Sequence, residues 1–240
     1  MMNIDATKIR GLLFDYGGTL DSGGDHWSEV IWSAYQQAGV VVDKNVFRDA
    51  YVYAERELAR VKHILPHHTF RDMMLIKMQI ELQWLAEHGD IAADVVEEKS
   101  REIAETCYAS ARSHVEASKR VLEQLTPRYP MVLVSNFYGN VESVLADFGI
   151  DKYFKTIVES AVVGVRKPDP RIFALGVEAL GMKPEETLVV GDSYRKDIVP
   201  AESIGCQVLW IKGKGWTSEE DAQTHPNMVQ KLDELVKILP

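Results

Sequence analysis

The stretch GLLFDYGGTL at residues 11–20 decides the fold, because an apolar run passes directly into an acidic, glycine-rich turn. Two later runs have the same form: MVLV at residues 131–134 is followed by Ser-Asn, and LVV at residues 188–190 is followed by Gly-Asp-Ser. Continuous hydrophobicity over so few residues is typical of strands that are buried on both faces. The sequence therefore predicts three core strands of a parallel sheet.

Two more strands are predicted from the second half of the chain. VLWI at residues 208–211 gives a clear signal, and KTIV at residues 155–158 gives a weaker one. Helical patterns separate these runs, and alternating strands and helices are typical of a doubly wound sheet. The predicted fold class is α/β, with a parallel, Rossmann-like sheet.

The segment from residue 22 to residue 118 shows helical periodicity and hardly any strand pattern. Apolar residues between Trp27 and Ala38 fall on one helix face, and Gly39 is suited to end that helix. Thr69 and Asp72 have the spacing of a capping box, which predicts a helix running towards His88. We expect residues 22–118 to form an inserted all-helical cap domain, and residues 1–21 and 119–240 to form the core.

Two groups of residues within this pattern are assigned to packing. Met73, Met74 and Met78 form a stripe that we interpret as helix core. The two cysteines, Cys107 and Cys206, have no CxxC spacing and no histidine at ligand distance, so we expect both to be packed as apolar residues.

Composition excludes several classes of partner. The formal net charge of -9 offers no overall positive field for nucleic acid or for an anionic membrane surface. No apolar window approaches the length of a membrane span, and the first ten residues lack a signal-peptide pattern, so a cytoplasmic location is expected. A small anionic substrate stays compatible with the charge, since a metal and a few local cations can dominate a cleft.

Ligands of doubly wound sheets bind beyond the carboxyl ends of the strands. The residues at these ends form a chemically coherent set. They are Asp15 after the first run, Ser135 and Asn136 after the second, and Asp192 with Asp197 after the third; GVRKPDP at residues 164–170 adds Lys167.

These four motifs, in this order and across nearly the full chain, resemble those of the haloacid dehalogenase-like hydrolases. The resemblance implies a Rossmann-like core with a helical cap between the first and second motifs. It also implies Mg²⁺ as cofactor and a small phosphorylated metabolite as substrate. The backbone carbonyl of Gly17 would then be a metal ligand, because the residue two after the nucleophile has that part in the family.

The residue types fit these roles chemically. The Asp15 carboxylate can attack phosphorus and form an acyl phosphate. Asp15 and Asp192 offer the oxygen ligands that Mg²⁺ prefers, and Asp197 is either a further ligand or a cap that braces the loop. Ser135 and Lys167 are expected to stabilise the phosphoryl oxygens.

Gly18, Thr19 and Asn136 are expected to contact the substrate. Gly18 and Thr19 lie in the turn that holds Asp15, and Asn136 lies in the turn after Ser135. A strand-end hydroxyl such as that of Ser135 can instead bond locally to the backbone.

Gly17 departs from the pattern, because the family has there an aspartate that transfers protons to and from the leaving group and water. General acid-base catalysis contributes about 10²–10⁴ in rate, so the sequence leaves open how fast the chain turns over a substrate. Three alternatives follow. The chain is a phosphatase, for which His67 or His68 is a candidate proton donor; or it cleaves a carbon-phosphorus or carbon-halogen bond; or it is a binding or regulatory protein.

Cleavage of a carbon-halogen bond and cleavage of a carbon-phosphorus bond each require particular residues. Dehalogenating relatives do not keep the acidic fourth motif, Gly-Asp-Ser, so Asp192 argues against that chemistry. Phosphonate cleavage requires a lysine of the cap that forms an imine. Lys44, Lys62 and Lys77 are present in the helical segment, and sequence alone cannot place any of them in the site.

Overall fold

The computed structural model describes residues 2–239. One sheet of parallel strands forms its centre. Within these residues six strands follow the order β3-β2-β1-β4-β5-β6. They are β1 (Gly11–Phe14), β2 (Met131–Ser135), β3 (Thr156–Glu159), β4 (Thr187–Gly191), β5 (Gln207–Ile211) and β6 (Met228–Val229). All five predicted strands are confirmed; β6 was missed.

The register explains why the motifs meet. Phe14 pairs with Leu133 of β2 on one side and with Val190 of β4 on the other. Asp15 therefore leaves the sheet at the same level as the ends of β2 and β4, where the second and the last motif begin.

Apolar side chains of alternate strand residues supply two separate cores. Leu12 and Phe14 belong to the larger core, whereas Leu13 packs into a smaller core with Val132 and Val189. Burial on both faces is what the unbroken apolar runs indicate, and it confirms the doubly wound α/β class. The helices after β2 are α5 (Val141–Phe148), α6 (Ser160–Val163), α7 (Arg171–Leu180), α8 (Val199–Ser203), α9 (Ser218–Ala222) and α10 (Leu235–Ile238).

Four longer helices lie between β1 and β2: α1 (Trp27–Gln37), α2 (Lys44–Arg60), α3 (Phe70–Glu87) and α4 (Val96–Leu125). The helix predicted to end near Gly39 is confirmed, and Gly39 has a φ of 70°. The capping box of Thr69 and Asp72 is present at the start of α3. Helix α4 continues through residues 118 and 119, so the division into a cap and a core stays a prediction.

The packing expected of sulfur-containing residues is confirmed. Met73, Met74 and Met78 are buried, as are Cys107 and Cys206, and both cysteines are free thiols. Of the helices in residues 2–239, none combines the length and the apolar character that a membrane crossing requires.

Helix α3 also buries Glu81, which makes the stability of the protein depend on pH. Burial raises the pKa of this carboxyl from 4.5 to about 7, although Lys77 and the Tyr35 hydroxyl oppose the change. The folded chain thus keeps a proton that the unfolded chain loses between pH 4.5 and 7. Folding stability must fall as the pH rises through this interval, by up to about 3 kcal/mol.

We expect Glu81→Gln to remove this loss, because glutamine keeps the shape without the buried charge. Urea unfolding should show the variant more stable than the parent at pH 8 and similar to it at pH 5. Glu87→Gln, on the exposed side of the same helix, is the matched control. Equal stability of parent and Glu81→Gln at both pH values would contradict the assignment.

Candidate active site

A cavity of about 160 Å³ lies at the carboxyl ends of the strands, between the sheet and helices α1 to α3. The sheet side provides most of the residues that the sequence predicts for the site, and the helices provide aromatic, thioether and charged side chains. The sheet side of the wall includes Asp15, Gly17, Ser135, Asn136, Lys167, Asp192 and Asp197; the helical side includes Trp27, Tyr51, Glu55, Phe70, Met73, Met74 and Lys77.

Three carboxylates converge at the floor of this cavity. Asp15, Asp192 and Asp197 each offer an oxygen atom, and these atoms lie within 4.8 Å of one another. Burial raises the pKa of Asp192 and of Asp197, and the neighbouring carboxylates raise the pKa of Asp192 further.

The charge and the donors of this cluster fit a divalent cation. When all three carboxylates are ionised they carry three negative charges, and the Lys167 ammonium, which pairs with Asp15 and Asp197, offsets one of them. Carboxylate oxygens are the ligands that Mg²⁺ prefers, and removing these groups from water leaves a strong demand for positive charge. The arrangement can hold Mg²⁺.

Lys167 connects two of these carboxylates. Its Nζ atom lies 2.7 Å from Oδ1 of Asp15 and 2.7 Å from Oδ1 of Asp197, and the residue is 4% exposed. Burial alone would lower the pKa of this ammonium, but the two carboxylates outweigh it and the pKa is raised. Lys167 is therefore a fixed positive charge beside Asp15, and not the solvated surface lysine that its type would suggest.

Asn136 holds the backbone of Lys167 in place. Its Oδ1 accepts from the Lys167 N–H at 2.9 Å, and its Nδ2 donates to the Lys167 carbonyl at 3.1 Å. The side-chain amide is thereby committed to positioning Lys167, so the substrate contact predicted for Asn136 would have to come from its backbone. Ser135, at the end of β2, is 1% exposed and lines the cavity.

Gly18 and Thr19 support Asp192. The Thr19 hydroxyl donates to Oδ1 of Asp192 at 3.0 Å. Gly18 has a φ of 98°, and a Cβ atom there would lie 2.2 Å from the Asp192 carboxylate, so only glycine fits. Neither residue is among the cavity-lining residues described; the substrate contact predicted for them stays a prediction.

Asp197 braces the loop after β4. Its Oδ2 accepts from the backbone N–H of Ser193 at 2.9 Å, while Oδ1 faces Lys167. A Cβ atom on Gly191 would lie 2.4 Å from that of Asp197, so the glycine lets the brace close. Asp197 thus holds the loop through Ser193 and also belongs to the acidic cluster. Both alternatives predicted from the sequence, a metal ligand and a brace for the loop, stay open.

The indole of Trp27 stands beside the space that Gly17 leaves. A Cβ atom on Gly17 would lie 3.9 Å from Cδ1 and 4.0 Å from Nε1 of Trp27. Nε1 donates to both carboxylate oxygens of Asp21 at 3.1 Å, and Asp21 also accepts from the Gly18 N–H. Burial raises the pKa of Asp21 to about 7, against these hydrogen bonds. Sequence reasoning missed Asp21, and treated Trp27 only as part of a helix face.

The two candidate proton donors of the loop before α3 are not among the residues that line the cavity. His68 accepts from the Leu65 N–H through Nδ1 at 3.1 Å, and its ring packs against that of His67 with 4.8 Å between centroids. This placement favours the interpretation of both as loop histidines.

Of the three lysines considered for imine formation, Lys77 reaches the cavity. Its ammonium forms an ion pair with Glu55 and lies 4.1 Å from the ring centroid of Tyr51, while the Tyr138 hydroxyl donates to Glu55 at 3.0 Å. Burial lowers the pKa of Lys77, but Glu55 outweighs it and the pKa is raised. An imine requires the neutral amine, so this pairing opposes phosphonate cleavage.

Several known proteins are similar to this chain in sequence. A family model described as haloacid dehalogenase-like hydrolase matches residues 9–205. A phosphoserine phosphatase of Thermus thermophilus is 30% identical over 135 residues, which are 55% of this chain and 53% of that protein. A glyceraldehyde 3-phosphate phosphatase of Pyrococcus furiosus is 32% identical over 92 residues, 38% of each chain.

The fold is shared over a longer span. The magnesium-bound structure of the HAD-hydrolase YfnB from Bacillus subtilis matches with a TM-score of 0.60 at 21% identity, covering 96% of this chain and 98% of that one. The chain thus spans about half or less of the two curated relatives by sequence, and nearly all of this solved structure by fold.

Proposed function

Since this chain belongs to the haloacid dehalogenase-like hydrolase family, we propose that it is a Mg²⁺-dependent phosphatase of a small phosphorylated metabolite, with Asp15 as nucleophile. The observation that carries the proposal is the buried ammonium of Lys167, 2.7 Å from Oδ1 of Asp15, at the floor of a cavity with two further carboxylates. Such a group stabilises an anion that approaches Asp15.

Asp15, Asp192 and the carbonyl of Gly17 would hold the Mg²⁺ ion, with Asp197 beside them. Bound there, the ion would reduce the repulsion between the phosphate dianion and the attacking carboxylate. Thr19 and Ser193 contribute indirectly, because they orient Asp192 and Asp197 respectively.

The reaction proceeds in two displacements. The Asp15 carboxylate attacks phosphorus, the bond between phosphorus and the leaving oxygen breaks, and that oxygen takes up a proton from solvent. Water then attacks the acyl phosphate, releases inorganic phosphate and restores the carboxylate. In both steps Lys167 and Ser135 face the phosphoryl oxygens, where they offset the developing charge.

The substrate is small. The cavity is about 160 Å³ and is covered on the helical side by Phe70, Met73 and Met74, which restrict the access of bulk water. Phosphoserine and glyceraldehyde 3-phosphate, from which two relatives take their names, are of suitable size. Phosphate release from a panel of such esters, with Mg²⁺ and with EDTA, tests the proposal; no Mg²⁺-dependent release from any of them would refute it.

A second candidate is a protein that binds a metal and a phosphorylated ligand with little turnover. Gly17 favours this candidate, because glycine cannot transfer a proton. The Trp27 indole lies next to the space where the family has an aspartate side chain. Tight Mg²⁺-dependent ligand binding together with undetectable phosphate release would select this candidate.

Gly17→Asp should raise turnover of esters with poor leaving groups by about 10²-fold or more, because it returns a proton-transfer group. The backbone at Gly17 is not in the left-handed region, and a Cβ atom there would come no closer than 3.9 Å to the nearest atom of a non-adjacent residue, so a Cβ atom is accommodated without a clash. The measurement is kcat for alkyl phosphates.

The matched control is Gly17→Asn, which has the same size but transfers no proton. If both variants gain equally, or if Gly17→Asp gains nothing while it still binds Mg²⁺, proton transfer is not what limits the parent.

A further inference from the structure

A second groove adjoins the active-site cavity. Its volume is about 860 Å³, and it lies between the end of α2 with the loop that follows and the segments after β2 and β3. Glu55, Asn136, Phe137 and Tyr138 line both the groove and the cavity. A ligand whose phosphate reaches Asp15 can therefore extend into this groove.

The groove is cationic although the chain as a whole is acidic. Four of its lining residues are basic, Arg56, Arg60, Lys62 and Arg166, and one, Glu55, is acidic. Glu55 is neutralised by Lys77, and Arg60 pairs with Glu57 at 2.6 Å. Within residues 2–239 the other three cations have no carboxylate at ion-pair distance, in a chain of net charge -9.

This charge is specific to one side of the site. A different groove of about 440 Å³ also adjoins the cavity, and it is lined by Arg195, Lys196 and Lys214. Three carboxylates, those of Glu55, Asp192 and Glu220, line it as well. With the ion pairs Glu55–Lys77 and Glu29–Lys214 set aside, Arg195 and Lys196 are matched in number by Asp192 and Glu220, so its charges balance. An anion is attracted to the first groove and not to the second.

The cations stand next to the reacting groups in sequence but do not contact them. Arg166 directly precedes Lys167, and Arg56 directly follows Glu55. Both arginines line the groove, and neither lines the cavity. Apolar side chains such as those of Val52 and Val162 also line the groove. A lining of apolar and cationic side chains suits a ligand with an apolar spacer that ends in an anion.

We propose that the substrate carries a second anionic group, a carboxylate or a phosphate, and that Arg56 and Arg166 bind it in this groove. The inference rests on the proposed phosphatase activity for the first phosphate. Arginine recognises both anions through paired N–H donors, and hydrogen bonds to charged groups are strong enough to decide between substrates.

The test compares three esters of similar length: butyl phosphate, 4-carboxybutyl phosphate and butane-1,4-diyl bisphosphate. We expect kcat/KM of the parent to be about ten-fold higher for the charged tails, and Arg56→Gln/Arg166→Gln to remove that preference while butyl phosphate stays within about two-fold. The larger loss identifies which anion the groove takes. Arg112→Gln/Arg120→Gln, with the same charge change on exposed positions of α4, should leave all three values unchanged.

Binding without turnover separates this inference from the proposed function. Calorimetry with Mg²⁺ compares butylphosphonate with butane-1,4-diyl bisphosphonate on the parent and on both double variants. A preference for the bisphosphonate that is lost in Arg56→Gln/Arg166→Gln supports the groove even if no ester releases phosphate. Equal binding of the two phosphonates by the parent, or an equal loss for charged and uncharged tails, overturns it.

Discussion

Asp15→Asn should lower Mg²⁺-dependent phosphate release by about 10⁴-fold or more, because members of one catalytic unit typically account for a loss of that size. The asparagine amide cannot form the acyl phosphate, and it also removes one of the three carboxylates that can hold the metal. The variant should still fold, since the amide oxygen can accept from Lys167.

The measurement is steady-state phosphate release with the best ester of the panel. Asp90→Asn, an exposed aspartate after α3, is the control and should keep full activity. An Asp15→Asn variant that releases phosphate at the parental rate would exclude Asp15 as the nucleophile.

Lys167→Met should lower activity by roughly 10²–10³-fold and also destabilise the fold. The ammonium lies 2.7 Å from both Asp15 and Asp197, and without it the clustered carboxylates lose a buried counter-charge. Leaving a buried charge unpaired costs about 3–5 kcal/mol, and loss of transition-state stabilisation costs roughly 10²–10³ in rate.

Thermal unfolding in EDTA and in excess Mg²⁺ measures this loss. We expect the midpoint of Lys167→Met to fall in EDTA and to recover partly with Mg²⁺, because the ion replaces the missing positive charge. Lys237→Met, at an exposed lysine of α10, should change neither stability nor activity. A Lys167→Met variant as stable as the parent in EDTA would mean that the carboxylates are not charged as we describe.

The sheet and its reactive edge could be predicted from sequence because parallel strands buried on both faces leave unbroken apolar runs. Each apolar run ends where a motif begins. Because the carboxyl ends of parallel strands lie at one edge of the sheet, the sequence was enough to place Asp15 and Asp192 at that edge. Strand β6 has two residues, Met228 and Val229, and so short a run has no pattern to read. It forms because its residues pair with Trp210 and Ile211 of β5.

The helical wall of the site could not be predicted, because a helix face that borders a cavity has the same periodicity as one that borders a core. Met73 and Met74 were assigned to packing, and they both pack and line the cavity. Lys77 lies on the same buried face, and only the tertiary fold brings it to Glu55 of α2. Trp27 was read as a helix-face residue, whereas its indole stands beside Gly17.

Phosphoryl capture by Asp15 is the central claim, and an acid quench tests it most directly. The protein is mixed with an ester labelled in its phosphate, stopped in acid within a turnover, digested and analysed by mass spectrometry. We expect the label on the peptide that holds Asp15, only in the presence of Mg²⁺ and never in Asp15→Asn. Label on another residue, or equal label in Asp15→Asn, would contradict the account.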